Sequence, residues 1–156
     1  MQNSFYREII NDHNLYPAHK HELECAGCEH RGINPSCGDD ITLKLSIEDG
    51  VIKDGAYTGD GCAISQASAD IMLDLIIGKS VEEATHLTDV FIRMIKKEAT
   101  EEEIEELEEA GALTDVSHMP ARVKCAVLGW RTMQDMLLKN QAEGRATGEH
   151  CCTEDE

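Results

Sequence analysis

The feature that most constrains the fold is a β-hairpin pattern between residues 40 and 59. In its first half, apolar side chains alternate with polar ones, which is the period of a strand with one buried face. The apolar positions are Ile41, Leu43, Leu45 and Ile47. Asp49-Gly50 is a strong two-residue turn signal, and a return strand begins at Val51 and runs through Tyr57. Asp54-Gly55, inside that strand, predicts a β-bulge.

Helical patterns lie on both sides of this hairpin. Residues 4–14 predict a short helix with Ser4 as its N-cap. After the hairpin, a glycine-rich turn at residues 59–65 leads into a helix that ends near Ile77, where Gly78 provides a C-terminal stop. The sheet signal is therefore followed directly by a helix that begins at a tight turn.

Two further helices open on capping boxes, in which a hydroxyl and a glutamate three residues later bond reciprocally to the backbone. One begins at Ser80 and is expected to run to about Lys97, and the next begins at Thr100. Residues 98–109 are rich in glutamate, which predicts a solvated acidic face. A docking surface for a basic partner is the alternative interpretation of that run.

Residues 15–33 and 115–119 are expected to be loops. Pro120 suits the first turn of a last helix, whose apolar residues keep helical spacing to about Lys139. A chain of 156 residues fits one domain. We take that domain as residues 1–141, followed by an acidic and disordered tail at 142–156.

Charge and hydropathy limit the classes of partner. The chain has 14 Lys and Arg against 31 Asp and Glu, a formal net charge of −17 at pH 7. Nucleic acid and anionic membrane surfaces would repel it, whereas basic or neutral protein surfaces would not. No stretch is long enough to span a membrane, and the N-terminus lacks an apolar signal region. We therefore expect a cytoplasmic protein without nucleic-acid or membrane partners.

The seven cysteines are many for such a chain, and a reducing compartment favours metal ligands or reactive thiols over disulfides. Cys37 and Asp39 are separated by one glycine, so a bend there could direct a sulfur and an oxygen to one point. Such a pair would make half of a four-coordinate zinc site. Taken alone, the same residues are better explained as a proline–glycine turn with a buried cysteine.

Two more cysteines lie beside predicted helix starts. Cys62 lies just before one helix, where backbone N–H groups and the helix dipole favour a thiolate. Cys125 lies early in the last helix, after Arg122 and Lys124, and those cations also favour a thiolate. The alternative for Cys62 is a small residue packed at a tight turn. Three separate loops could thus bring ligands to one metal ion.

Cys25 and Cys28 form a C-x-x-C pair, which could bind a second metal with His21 and His30 as the nearest further ligands. A loop with two free thiols explains this pair equally well. Cys151-Cys152 in the tail is expected to be incidental, although adjacent thiols can scavenge metal.

Three motifs together resemble those of the U-type iron–sulfur assembly proteins (IscU/SufU). They are Pro35-Ser36-Cys37-Gly38-Asp39, Gly61-Cys62-Ala63-Ile64-Ser65 and Pro120-Ala121-Arg122-Val123-Lys124-Cys125. Their order matches the family, and the resemblance covers roughly residues 4–138. The chain is most similar to the SufU branch, because the IscU branch carries a histidine where this chain has Lys124. Residues 97–117 also fit an insertion typical of the SufU branch, whereas the Cys25/Cys28 pair departs from the family.

The resemblance implies an α+β fold in which a small antiparallel sheet packs against helices on one side. It implies zinc held by Cys37, Asp39, Cys62 and Cys125. Cys37 would accept persulfide sulfur from a SufS-like cysteine desulfurase, for delivery to downstream cluster-assembly proteins. Arg122 would hold docked or acidic groups in place, unless it is only a surface cation at a helix start.

Three functions therefore remain open for the chain. The first is a zinc-dependent sulfurtransferase, which is the one that would make the chain an enzyme. The alternative is a scaffold that assembles and transfers a [2Fe–2S] cluster on the same ligands. The second alternative is a structural zinc adaptor. The position of Lys124 and the insertion at residues 97–117 favour the first, and the Cys25/Cys28 pair keeps the scaffold open.

Overall fold

The computed structural model of the protein describes residues 4–23, 27–35 and 38–142. Its helices and strands, in chain order, are α1 (Ser4–Leu15), β1 (Cys28–Asn34), β2 (Asp39–Glu48), β3 (Val51–Asp60), α2 (Ala63–Ile76), α3 (Val81–Ile95), α4 (Glu101–Glu106), a 3₁₀ segment (Glu108–His118) and α5 (Pro120–Ala142). The three strands form an antiparallel sheet in the order β1-β2-β3, and helices pack on it, so the α+β fold is confirmed.

The predicted hairpin is present as β2 and β3. Asp49 and Gly50 both have positive φ, 53° and 77°, as the tight turn of a two-residue hairpin requires. Ser46 pairs with Asp54 while Ile47 pairs with Ile52, which leaves Lys53 as the extra residue of a bulge. The bulge therefore lies one residue before the predicted Asp54-Gly55 pair.

The strand β1 corrects the expectation that residues 15–33 form a loop throughout. Every residue of β1 pairs with β2. Its exposed side chains alternate with half-buried ones, yet the half-buried face carries a cysteine, a histidine and Gly32 instead of large apolar residues. A Cβ at Gly32 would collide with Thr132 Oγ1 of α5, so this face must stay small where the helix crosses it. Close helix packing thus removes the apolar alternation that would have indicated a strand.

The outer edge of β3 is partly paired. The amide of Tyr57 donates to His19 O at 2.9 Å, and the amide of Ile52 donates to Lys79 O at 2.9 Å. Val81 N, at the start of α3, donates to Gly50 O at 2.8 Å. The segment after α1 and the α2–α3 turn therefore cover part of an edge strand that would otherwise expose unpaired backbone groups.

Helix α2 runs through the centre of the molecule, and most of its side chains are buried. Gly129 of α5 lies against Ala69, where even a Cβ would make a tight contact at 3.3 Å. The indole of Trp130 stacks on Phe91 with ring centroids 4.0 Å apart, and its Nε1 donates to Ser68 Oγ at 2.9 Å. These contacts fix α5 against α2 and α3, which matters because Cys62 is the residue just before α2 and Cys125 lies in α5.

The glutamate-rich run begins as predicted, with a complete capping box at Thr100 and Glu103. Glu103 also receives two hydrogen bonds of 2.9 Å from Arg93, which attach α4 to α3. The expected loop at residues 115–119 is wrong, because a 3₁₀ segment continues from Glu108 to His118. Its buried residues, Ala110, Leu113 and Val116, recur every third position, which is the period of a 3₁₀ helix.

Within the described ranges, no helix combines the length and apolar character needed to cross a membrane. The last helix extends to Ala142, slightly beyond its predicted end near Lys139. The tail predicted from residue 142 lies outside the described residues after that position, so its disorder stays a prediction.

Candidate metal centre

Three of the predicted ligands come together where the sheet meets α2 and α5. Asp39 is the first residue of β2, Cys62 is the N-cap of α2, and Cys125 lies in the second turn of α5. Their ligand atoms all lie within 4.8 Å of one another. Asp39 and Cys125 are buried, and Cys62 is half-buried. Among the described residues this is the one group of three or more potential ligands.

Asp39 is held by hydrogen bonds on both carboxylate oxygens. Its Oδ1 accepts from the Cys62 backbone N–H at 2.8 Å and from Ser65 Oγ at 3.0 Å. Its Oδ2 accepts from Asn34 Nδ2 at 3.1 Å. These bonds fix the carboxylate between the end of β1 and the start of α2.

The hydrogen bonds also decide the charge of Asp39. Its burial by itself raises the pKa of the carboxyl. Donors from Cys62 N–H, Asn34, Cys125 and Ser65 favour the ionised form and together hold the pKa below its usual value. The described donors to this carboxylate are neutral groups, so the site carries a buried negative charge that a bound cation would compensate.

The two cysteines are positioned by helices. Cys62 has an extended backbone, and its Sγ accepts from Ser65 N at 3.4 Å, as an N-cap side chain does. Cys125 lies on the inner side of α5, and its Sγ accepts from Asn34 Nδ2 at 3.7 Å. Because both helices are packed into the core, the two sulfur atoms have little freedom to move apart.

Gly61 allows the close approach of these groups. A Cβ at this position would collide with Ser65 Oγ and lie 2.8 Å from Asp39 Oδ1. The glycine that precedes Cys62 is therefore required by the hydrogen bonds of Asp39 as well as by the turn from strand to helix.

The other predicted cysteine ligands either lie outside the described residues or are not part of this cluster. Cys37, Cys25 and the Cys151-Cys152 pair lie outside the described residues, so their roles stay predictions. Cys28 is the first residue of β1 and is half-buried against the core. Cys28, His21 and His30 do not gather around one point.

Arg122 and Lys124 are both exposed in the first turns of α5. The backbone N–H of Arg122 donates to Met119 O at 2.8 Å, which helps to begin the helix. Both side chains lie close in sequence to Cys125 but on the solvent side of the helix, where a docking partner could reach them.

Sequence reasoning missed two residues of the site, Asn34 and Ser65. Ser65 is the last residue of the second motif and Asn34 directly precedes the first, and both donate to Asp39. The only sequence signal for Ser65 is its position three residues after an N-cap. Asn34 is opposite Asp39 in the register of β1 and β2, a signal that requires β1 to be recognised as a strand.

The donor set of this group fits zinc. Two thiols and a carboxylate are ligands that zinc accepts in tetrahedral sites, and a fourth ligand would complete the coordination. Cys37 is two residues before Asp39 in the sequence and is the candidate for that fourth position. The same ligands, rich in sulfur, would also suit iron in a cluster.

Comparison with known proteins identifies clear relatives. The iron–sulfur cluster assembly scaffold protein IscU of Thermotoga maritima is 42% identical over 134 residues, covering 86% of this chain and 93% of that protein. The zinc-dependent sulfurtransferase SufU of Bacillus subtilis is 34% identical over 138 residues, covering 88% of this chain and 92% of that protein. Both of these relatives therefore align with this chain along nearly their whole length.

Solved structures agree with this. A putative iron–sulfur cluster assembly scaffold protein for the SUF system from Fervidobacterium islandicum superposes with a TM-score of 0.80 at 34% identity, covering 88% of this chain and 99% of that one. An N-terminal NifU-like protein from Brucella abortus shares the fold, with a TM-score of 0.76 at 22% identity over 90% of this chain and 94% of that one. The profile of the NifU-like N-terminal domain matches residues 5–144. The chain therefore belongs to the NifU-like N-terminal domain family, which includes the U-type iron–sulfur cluster assembly proteins IscU and SufU.

Proposed function

We propose that the protein acts in iron–sulfur cluster assembly as a zinc-dependent sulfurtransferase that takes sulfur from a cysteine desulfurase onto Cys37. The observation that carries this proposal is the convergence of Asp39, Cys62 and Cys125, from three different elements, within 4.8 Å. The SufU relative, named a zinc-dependent sulfurtransferase, supports the sulfur-transfer chemistry.

The metal would be held by Cys37, Asp39, Cys62 and Cys125. A bound zinc ion would keep the thiols deprotonated, because only thiolates are metal ligands. With four ionised ligands the formal charge of the loaded site is about −2 (2 − 4). Asp39 contributes an oxygen that hydrogen bonds from Asn34, the Cys62 N–H and Ser65 already hold in place.

Cys37 is the proposed acceptor because of the elements on either side of it. Cys62 is tied to the N-terminus of α2, and Cys125 is buried in α5. Cys37 instead belongs to the short connection between β1 and β2, where Gly38 has φ 70° and its amide donates to Pro35 O. A thiol in such a connection can be offered to a partner with less disturbance of the core than a thiol on a packed helix.

The transfer step conserves atoms and electrons. The Cys37 thiolate attacks the outer sulfur of the persulfide on the desulfurase cysteine. A new S–S bond forms between Cys37 Sγ and that sulfur, the S–S bond in the desulfurase breaks, and the desulfurase cysteine leaves as a thiolate. No oxidant or reductant is consumed, and the protein then carries a persulfide for a downstream acceptor.

The test is desulfurase turnover in the presence of the wild-type protein, Cys37→Ser and Cys151→Ser. Wild type and Cys151→Ser should accelerate turnover, and Cys37→Ser should not, because a hydroxyl cannot accept sulfur. Full acceleration by Cys37→Ser would contradict the acceptor assignment and would favour a structural zinc adaptor.

Assembly of a [2Fe–2S] cluster on the same ligands is the second candidate, favoured by the scaffold names of several relatives. Elemental analysis and a visible spectrum of protein purified without oxygen separate the two. One zinc per chain without colour supports sulfur transfer. Iron and sulfide with a brown absorbance would support the scaffold.

A further inference from the structure

Asn34 occupies a position that links two of the proposed ligands. It is the last residue of β1, only 5% exposed, and it lies opposite Asp39 in the sheet. Pro35 follows it and restricts its backbone to the extended region, which suits the end of a strand. A polar side chain buried at this depth needs hydrogen-bond partners.

The side-chain amide of Asn34 reaches two ligands from different parts of the chain. Its Nδ2 donates to Asp39 Oδ2 at 3.1 Å and to Cys125 Sγ at 3.7 Å, a contact that spans 91 positions in sequence. Both acceptors are anions when ionised, so the NH₂ end of the amide, and not its oxygen, must face them. One NH₂ group, with two hydrogens, thus serves two ligands.

We propose that Asn34 is a positioning residue of the metal centre, which couples the Asp39 carboxylate to the Cys125 thiolate. This inference rests on the proposed metal site and adds a residue to it. Asn34 disperses negative charge from both ligands and fixes the distance between them. Outer hydrogen bonds of this kind orient ligands and tune how strongly they bind.

The same contacts define how Asp39 can bind. A carboxylate has about four lone-pair sites, two on each oxygen. Oδ1 accepts two hydrogen bonds, from Cys62 N and Ser65 Oγ, and Oδ2 accepts one from Asn34. The Cys125 thiol also bonds to this carboxylate, but a thiolate cannot donate, so metal binding to Cys125 leaves one lone-pair site on Asp39 for a single bond to the metal. Without Asn34, a second site on Oδ2 is released and the carboxylate can rotate.

The experiment is a titration of the full chain with Co²⁺, whose charge-transfer absorption reports each thiolate bond. Asn34→Leu keeps four side-chain heavy atoms branched at Cγ and removes both hydrogen bonds, and Asn34→Asp keeps the shape but places a carboxylate against two anions. Thr88→Val is the matched control, because Thr88 is fully buried in α3 and donates to Ala84 O away from the cysteines. The metal-free form of each variant is checked for folding by circular dichroism.

We expect Asn34→Leu to raise the Co²⁺ dissociation constant by about 10–100-fold. The charge-transfer band should also move to longer wavelength, because a thiolate without its N–H donor holds its electrons less tightly. Asn34→Asp should weaken binding further, and Thr88→Val should change neither quantity. The band position separates a direct effect on the sulfur from a general loss of stability.

Two outcomes would overturn the inference, and they are distinguishable. If wild type and Cys62→Ser show the same Co²⁺ spectrum and affinity, the metal site itself is wrong, and the proposed function fails with it. If Cys62→Ser abolishes the thiolate band but both folded Asn34 variants retain wild-type affinity and band position, only the role of Asn34 is wrong. Should Asn34→Leu fail to fold, Asn34→Asp alone decides between these results.

Discussion

Two buried aspartates, Asp39 and Asp70, show two ways of keeping a negative charge inside this fold. Both are fully buried, and both accept hydrogen bonds from backbone N–H groups. Asp70 lies within α2, whereas Asp39 lies against the N-terminus of that helix. Burying a carboxylate is costly unless it is paired, so each must be explained by what surrounds it.

Asp70 is paired with a cation supplied by the protein. Its Oδ2 lies 2.6 Å from His13 Nδ1, and its Oδ1 accepts from His19 N at 2.8 Å. The hydrogen bond to Asp70 is the largest influence on the His13 imidazole and, with a contribution from Glu109 and against the effect of burial, raises its pKa to about 9. His13 is therefore protonated at neutral pH, and the pair compensates itself.

Asp39 has neutral donors and two neighbouring thiols instead. Burial alone therefore does not mark a functional carboxylate. The Asp70 carboxylate is compensated by His13 and attaches α1 to α2. The Asp39 carboxylate is held ionised by neutral donors beside two thiols, which suits it to bind a metal cation.

The largest effect should come from Asp70→Ala. This change leaves His13 Nδ1 and the backbone N–H groups of Ala18 and His19 without their acceptor, so we expect a loss of about 3–5 kcal/mol of unfolding free energy. Urea unfolding of the metal-free protein at pH 7 measures it. Asp70→Asn, which preserves shape and some acceptors, should lose less. A loss below about 1 kcal/mol for Asp70→Ala would mean that the pair does not hold α1 in place.

The ion pair between His13 and Asp70 predicts that the free energy of unfolding changes with pH by a similar amount. The pKa of His13 in the folded state, about 9, lies above its ordinary value of 6.5. The ion pair therefore stabilises the folded state fully below pH 6.5, and this stabilisation is lost as the pH rises through 9. The loss should be roughly 3 kcal/mol. It is read from the difference between wild type and His13→Gln in urea unfolding from pH 6 to 10. Parallel pH profiles of the two proteins would contradict a raised pKa.

Zinc should stabilise the Asp39 region selectively. At a free concentration of 100 times its dissociation constant, a ligand bound only to the folded state adds about 2.7 kcal/mol. We expect this gain in wild type and in Asp70→Asn, a smaller gain in Asp39→Ala, and its reversal by a chelator. Equal gains in Asp39→Ala and wild type, measured by thermal unfolding, would place the zinc elsewhere.

The substitutions Gly55→Ala and Gly61→Ala distinguish a steric clash in the hydrophobic core from a steric clash in the metal site. A Cβ at Gly55 would lie 2.8 Å from Leu73 Cδ2 and 2.9 Å from Leu45 Cδ2, and a Cβ at Gly61 would press on Ser65 and Asp39. Each alanine variant should lose about 1–3 kcal/mol of stability. Only Gly61→Ala should also weaken Co²⁺ binding. If both variants bind Co²⁺ as wild type does, the hydrogen bonds of Asp39 are not needed for the site.

The sequence predicted the elements whose signal is local. The alternation through Ile47, the Asp49-Gly50 turn and the capping box at Thr100 each depend on neighbouring residues, and all three are present. The strand β1 was missed because its half-buried face is shaped by Thr132, which is remote in sequence. The 3₁₀ segment was missed, and residues 115–119 were expected to be a loop, because a three-residue period of apolar side chains matches neither an α-helix nor a strand.

The motifs alone brought Asp39, Cys62 and Cys125 forward as candidates, together with Cys37, because residue type and chain order are properties of the sequence. Only the tertiary structure decided that Asp39 is buried, that Ser65 and Asn34 hold it, and that Asp70 is matched by His13. The physical reason is the separation in sequence between the residues that interact. Turns and caps are set by neighbouring residues along the chain, whereas the charge state of a buried carboxylate depends on donors brought to it by packing, such as Ser65, which is 26 positions from Asp39.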